Sequence, residues 1–271
     1  SDPANKNYIF FPWDKGTTVE AMEQYYDSYN FSDWTHKLSK TPMIKAQHPD
    51  YEIYLTGIHA SRGVSCADCH MPYKNEGGVK FTDHKIQSPL NNISNSCAVC
   101  HRWSEEEIRE RVYSIQDKVM ELRALAEDAL AKAHIETKHA IDNNISEDEL
   151  KPIHKLIRHS QWRWDFAAAS NGAGFHSPGE ISRILGTSIQ KAGEARILVA
   201  RALAKRGISD PVQMPDISTK HKAQVYIGLN PEAEKTTKEK AKKEVYPAWD
   251  EEAKKRHEKL GDYYKQTYKR E

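Results

Sequence analysis

Four cysteines are the only thiols in this 271-residue chain, and each belongs to a C-x-x-C pair followed at once by a histidine: "CADCH" at 66–70 and "CAVCH" at 97–101. Four chemistries use thiols in this way. A disulfide framework suits an even cysteine count, but it leaves His70 and His101 to coincidence. Four thiolates can close a tetrahedral zinc site, yet the 27 residues between the pairs (70–96) exceed the usual ribbon spacing of about 15–20, and the histidines are again unused. A thioredoxin-like redox pair would need a strand–helix–strand setting that surrounds neither motif. Covalent haem uses every residue. The two thiols add to the haem vinyl groups, and the next histidine is held beneath the iron as proximal ligand. On this reading Cys66 and Cys69 carry one haem with His70 on its iron, and Cys97 and Cys100 carry a second with His101.

The supply of a second axial ligand decides what such a haem does. An iron with both positions filled by protein mainly transfers electrons, whereas an open position can bind and convert a small molecule. Of thirteen histidines, eleven remain. His59 lies in "GIHASRGVSC", close before the first motif, and His48 and His84 also crowd the motifs. His176 follows the flexible "NGAG" and precedes "SPGE", where Ser177 is expected as N-cap, Pro178 as first helical residue and Glu180 as capping-box acid. His134, His139, His154, His159, His221 and His257 lie in charged, largely helical sequence and read as solvated or hydrogen-bonded side chains. Met43, Met71 and Met214 could donate thioethers, but packing is the commoner role of methionine.

These residues must be positioned by elements the pattern also reveals. Residues 1–102, rich in Pro, Gly, Asn and aromatics, read as loops and short helices wrapped around cofactors. From 103 to 271 long helices take over. Ser104 and Glu107 form a capping box, followed by Ile108, Val112, Ile115, Val119, Leu122, Ala126 and Ala129 in steps of four and three. A second helix is expected from about Ser146 to Ser170, ending at Gly172, with Pro152 kinking it or marking its start. A third runs from Pro178 to near Gly207, with Leu185, Ala192 and Val199 spaced by seven. The tail from "NPEAEKTTKEKAKKE" reads as a solvated helix. The fold class is therefore mainly α, a haem-wrapping region followed by long C-terminal helices.

Hydrophobic residues make up 38% and charged residues 29% of the chain, and 40 Lys and Arg nearly balance 39 Asp and Glu. The net charge of +1 gives no global reason to expect nucleic acid or an anionic membrane. No run approaches the roughly 18 apolar residues that span a bilayer, and the first residues lack the pattern of a signal peptide, so a soluble, mature or truncated chain is expected.

The stretches "FPWDKG", "MEQYYD", "FSDWTHKLSKTPMIKAQHPDYE", "GIHASRGVSCADCHMP", "TDHKI", "CAVCH", "RHSQWRWD" and "PDISTK" resemble, in order, the C-terminal portion of the ammonia-forming cytochrome c nitrite reductases. That family consists of periplasmic pentahaem enzymes, usually homodimers joined through long helices. The resemblance implies that "CADCH" is the fourth haem site, with His176 as distal ligand, and "CAVCH" the fifth, with His59 as distal ligand. His84 would be the distal ligand of an upstream haem. In "KAQH", Lys45 through its carbonyl and Gln47 through its side chain would bind calcium, and oxygen donors are what calcium requires. His48 would be the distal active-site histidine that helps bind nitrite and supply protons.

The C-x-x-C-K motif that holds the active-site haem in that family does not occur in this chain. The expectation is thus the C-terminal half of an enzyme that reduces nitrite to ammonium with six electrons, supplying two of five c-type haems and inactive alone. A homodimer, calcium, and a quinol-linked or multihaem cytochrome donor are its implied partners and ions. A two-haem electron-transfer cytochrome without a substrate site is the alternative.

Overall fold

The computed structural model describes residues 15–267, with side chains through residue 261. Residues 11–14 of the "FPWDKG" stretch lie outside the described residues. Contacts divide the chain into two compact units, Ser1–Val212 and Gln213–Glu271. The fold is mainly α, with ten α-helices and two small antiparallel sheets among the described residues.

The first unit is organised on three long helices, α5 (Glu105–Asp142), α6 (Glu147–Ala168) and α7 (Pro178–Ala204). The capping box expected at Ser104 forms: the Ser104 hydroxyl accepts from the Glu107 N–H and the Glu107 carboxylate accepts from the Ser104 N–H. Ile108, Val112, Val119 and Ala126 of the α5 seam are buried, whereas Ile115, Leu122 and Ala129 are only partly so. On α7 the heptad of Leu185, Ala192 and Val199 is 0–1% exposed, facing α5 and α6. Leu185 and Val199 each contribute roughly 1.5–3 kcal/mol by leaving water, and Ala192, with a single methyl, less.

Two helix ends differ from expectation. Helix α6 begins at Glu147, capped by Ser146, and runs through Pro152. Proline removes one N–H from the ladder, but Pro152 is exposed, so water can satisfy the carbonyl it frees. Helix α6 stops at Ala168, four residues before Gly172, because the chain must turn there to reach α7. At the start of α7, Ser177 is the N-cap and Pro178 the first residue, but no Ser177 side-chain cap forms. Glu180 instead pairs with Arg183 at 2.7 Å, and Arg183 reaches across to Glu20 at 3.0 Å.

Shorter elements cover this frame. Helix α1 (Val19–Ser28) docks on α6 through charge as well as apolar contact. Arg158 donates to Asp27, Arg163 pairs with Glu23, and Trp162 Nε1 donates to the Val19 carbonyl at 2.9 Å. Strands β1 (Trp34–Thr35) and β2 (Pro42–Met43) pair antiparallel, with Trp34 opposite Met43. Three short helices follow, α2 (Asp50–Leu55), α3 (Ile58–Ser61) and α4 (Cys66–His70). Strands β3 (Tyr73–Glu76) and β4 (Val79–Thr82) form a hairpin closed by Gly77 and Gly78, whose φ of +57° and +79° suit a two-residue turn. Loops and short helices thus fill 15–102. Met43 is 1% exposed in the core, which is a packing role.

The second unit contains α8 (Lys220–Tyr226), α9 (Pro231–Glu244) and α10 (Tyr246–Thr267). Helix α9 buries none of its residues, in keeping with a solvated charged tail. Among the described residues no helix is long and apolar enough to cross a membrane.

Candidate functional site

The first C-x-x-C-H motif is helix α4 itself. Ser65 caps it: its hydroxyl accepts from the Asp68 N–H, and the Asp68 carboxylate accepts the Ser65 N–H at 2.6 Å. One helical turn places Cys66, Cys69 and His70 on one side, since residues three and four apart are neighbours on a helix. The second motif folds into a short 3-10 turn, Cys97–Val99, in which the His101 N–H donates to the Cys97 carbonyl at 2.9 Å. All four cysteines are free thiols rather than disulfides. Among the described residues no three His, Cys, Asp or Glu side chains gather as a metal-binding group. Burial, then the nearby Cys97, Asp68, Cys66 and Cys100, push the Cys69 thiol pKa up.

Four histidines come together in two pairs. The rings of His70 and His176 lie 6.3 Å apart, and those of His59 and His101 lie 6.2 Å apart. Two imidazoles on opposite sides of one iron should show that spacing: metal–nitrogen bonds of about 2 Å and nitrogen-to-centroid distances of about 1.1 Å place their centroids about 6.2 Å apart. The ring orientations fit as well. His70 Nδ1 lies 2.9 Å from the Gln87 carbonyl, to which it donates, leaving Nε2 for a metal. His101 stacks on Trp103 at 5.2 Å, with the planes 9° apart. His59 lies 6.3 Å from Phe175, the residue before His176. Burial first, then His101 and His176, push the His59 imidazole pKa down, which favours the neutral ligating form.

His176 is held by what is missing around it. A Cβ on Gly57 would stand 2.1 Å from the His176 carbonyl oxygen, and one on Gly172 would stand 2.8 Å from its Nδ1. Only glycine at both places lets the ring sit where it does. Its Nδ1 is buried without a hydrogen bond, and the carboxylate of Asp50 stands 3.6 Å away.

The "KAQH" segment leaves β2 and is pinned to α6. Asp165, 2% exposed, accepts the Ala46 N–H at 2.6 Å and the Lys45 ammonium at 2.5 Å. The Lys45 N–H donates to Asp33 at 2.7 Å. With its ammonium committed to Asp165, Lys45 could offer a cation only its carbonyl, while Gln47 is exposed with its side-chain oxygen as donor. His48 is exposed too, and its φ of +47° is a left-handed conformation rare outside glycine and asparagine. The Asn171 amide donates to His48 Nδ1 at 3.3 Å, so the neutral ring carries its proton on Nε2. His84, exposed after β4, donates through Nδ1 to the Thr82 carbonyl at 2.8 Å and belongs to neither pair.

Gln87, Asp50, Asn171, Asp165, Gly57 and Gly172 were not picked out by motif spacing. "HPD" and "SNG" carry Asp50 and the Asn171–Gly172 pair in plain view, but their partners lie roughly 120 residues apart in sequence.

Comparison with known proteins identifies the family of the chain. The cytochrome c552 family model matches residues 1–263. Cytochrome c-552 of Parabacteroides distasonis is 59% identical over 246 residues, which cover 91% of this chain and 50% of that protein. The cytochrome c-552 of Bacteroides thetaiotaomicron is 59% identical over 247 residues, with the same coverage. A solved cytochrome c nitrite reductase from Desulfovibrio desulfuricans, whose catalytic subunit NrfA is described with two calcium sites, superposes with a TM-score of 0.67 at 34% identity, covering 74% of this chain and 46% of that one. The chain spans about half the length of the curated relatives it matches. With two C-x-x-C-H motifs, a mainly helical frame shared with a cytochrome c nitrite reductase, and a family match along nearly its whole length, the chain belongs to the cytochrome c552 family.

Proposed function

We propose that the chain is the C-terminal portion of a periplasmic, ammonia-forming nitrite reductase that converts nitrite, six electrons and eight protons into ammonium and two waters. The observation that carries this reading is the pair of 6.2–6.3 Å histidine contacts, each containing the histidine of a C-x-x-C-H motif. Cys66 and Cys69 would hold one haem c between His70 and His176, and Cys97 and Cys100 a second between His101 and His59. When bound, the haems supply one-electron redox chemistry at iron. With His70 and His176 on one haem and His59 and His101 on the other, neither haem would offer nitrite a place.

The substrate-facing contribution of these residues is His48. Its exposed ring carries a proton on Nε2, fixed by the donor on Nδ1, and a positioned imidazole can hand such a proton to a bound substrate. Lys45 through its carbonyl and Gln47 through its side chain would give two of the six to eight oxygens calcium takes, the rest coming from elsewhere. His84, exposed and with Nδ1 engaged by the Thr82 carbonyl, would serve through Nε2 as distal ligand to a haem held by other residues. The haem-wrapping region 1–102 and the helical region 103–271 are the functional divisions of this reading. Exposed Tyr113, Met120 and Leu125 on α5 and Ile197 on α7 support a homodimer through the long helices. A quinol-linked or multihaem cytochrome is the expected electron donor.

A two-haem relay with no substrate site of its own remains the second reading, favoured by the occurrence of only two haem motifs in the sequence. Matured in a periplasm, the chain is expected to carry two haems by intact mass and pyridine haemochrome spectrum, and none would reject both readings. In the complete enzyme, His48→Ala should lower nitrite turnover by about a hundredfold or more with haem content unchanged. Unchanged turnover would leave only the relay.

A further inference from the structure

Asp50 opens helix α2 and touches both functional parts of the site. Its Oδ1 accepts the Asn171 N–H at 2.9 Å and the Ser170 hydroxyl at 3.3 Å, and faces the buried His176 Nδ1 at 3.6 Å. Its Oδ2 accepts one proton of the Asn171 amide at 2.9 Å, and the same amide nitrogen donates to His48 Nδ1 at 3.3 Å. Both amide protons of Asn171 are thereby used, one on Asp50 and one on His48. Buried polar atoms without partners are uncommon, and the acceptor facing the otherwise unpaired His176 Nδ1 is this carboxylate.

We propose that Asp50 is the positioning residue that joins the two functions of the site: its carboxylate orients the His176 imidazole directly and the His48 imidazole through the Asn171 amide. One anion then sets both the axial-ligand ring and the proton-carrying ring. This rests on the assignment of His176 as a haem ligand.

The two rings assigned to the first haem differ in what stands behind them. His70 donates to the neutral Gln87 carbonyl, whereas His176 faces a carboxylate. A carboxylate behind a ligating histidine makes the ring more basic, which favours the oxidised metal and lowers the potential. His48, strained in a left-handed conformation, is held by a side chain that is itself held by Asp50 at two points. Loss of the charge should therefore show in the first haem and in His48 together, and leave the second haem alone.

The test is spectroelectrochemical titration of the haem-loaded protein carrying Asp50→Asn. The haem on Cys66 and Cys69 is expected to become at least tenfold easier to reduce, about 59 mV for one electron, while the haem on Cys97 and Cys100 moves less than twofold. Asp50→Glu, which keeps the charge, should return the potential towards the starting value. A first haem that moves less than twofold in Asp50→Asn, with both haems retained, overturns the proposal. Should Asp50→Asn lose haem, Asn171→Ala decides: it removes the arm to His48 and the amide bond to Asp50 Oδ2 while leaving the carboxylate and its Oδ1 contacts in place, and is expected to lower nitrite turnover in the complete enzyme about tenfold with the first haem's potential moving less than twofold. Unchanged turnover, or a larger potential shift in that variant, overturns the shared-carboxylate arrangement. His176→Ala separates this from failure of the underlying reading. If the first haem stays six-coordinate and low-spin without His176, the ligand assignment falls; if it becomes high-spin while Asp50→Asn has no effect, only the role of Asp50 falls.

Discussion

Two glycines decide whether His176 can stand where it does. At Gly57 an added Cβ would meet the His176 carbonyl oxygen at 2.1 Å, a backbone atom that cannot swing aside as a side chain could. Gly57→Ala is therefore expected to displace the 171–177 loop. In the haem-loaded protein the visible spectrum should show the haem on Cys66 and Cys69 turning partly high-spin, with the other haem unaffected. Overpacking of this kind typically destabilises by about 1–3 kcal/mol, which a denaturant titration would read. A spectrum with two low-spin haems and an unchanged midpoint would mean that the loop yields freely.

Helix α6 is the element on which the site is mounted. Its "RHSQWRWD" stretch sends Arg158, His159 and Arg163 to α1 and Asp165 to the "KAQH" segment. All four of these α6 side chains are buried, and the Arg163–Glu23 pair is buried on both sides, whereas Asp27 and Lys45 keep part of their surface in water. Asp165→Asn keeps one acceptor but leaves the Lys45 ammonium without its anion. The expected loss is about 2 kcal/mol of stability, together with weaker retention of calcium if residues 45 and 47 bind it. Calorimetry with and without a chelator checks both; a chelator effect as large in the variant as in the parent would separate Asp165 from the calcium segment. On α7, Leu185→Ala should lower stability by about 3 kcal/mol, because a fully buried leucine between packed helices leaves a cavity that cannot collapse. Equilibrium unfolding measures this directly.

At the scale of the whole molecule, buried histidines set the response to acid. His36 and His134 stack at 3.6 Å, and His134 Nδ1 is bonded to Ser39 at 2.8 Å. Burial, then Lys40, pulls the His36 pKa down to about 4. Burial, followed by His36 and His154, holds His134 well below the ordinary value. A histidine whose folded pKa is depressed binds fewer protons folded than unfolded, so stability rises with pH between the two values. It is fully present above about pH 6.5 and is lost as pH falls from there towards 4. For His36, partly exposed, the loss is on the order of 2 kcal/mol after allowance for solvent screening. The melting temperature should therefore drop over this window, and His36→Phe should flatten part of the slope. A profile flat from pH 6.5 to 4 would contradict the burial account.

The sequence alone determined the cofactor chemistry and the main helices. C-x-x-C-H is a local arrangement that one short turn can satisfy, and capping boxes and heptad spacings at Ser104, Leu185, Ala192 and Val199 are likewise read within a few residues of themselves. The end of α6 at Ala168 rather than Ser170, and the absence of a side-chain cap from the N-cap Ser177 of α7, escaped it because both depend on where the neighbouring helices send the chain. Pairing is another matter. His70 meets His176 and His59 meets His101 across 106 and 42 positions, and Asp50 meets Asn171 across 121. No periodicity reports such distances, so the motifs and the family resemblance could name His48 and His176 while saying nothing of the carboxylate between them. Only the tertiary structure decided that contact, because the long helices must pack before the loop between α6 and α7 can lie against the start of α2.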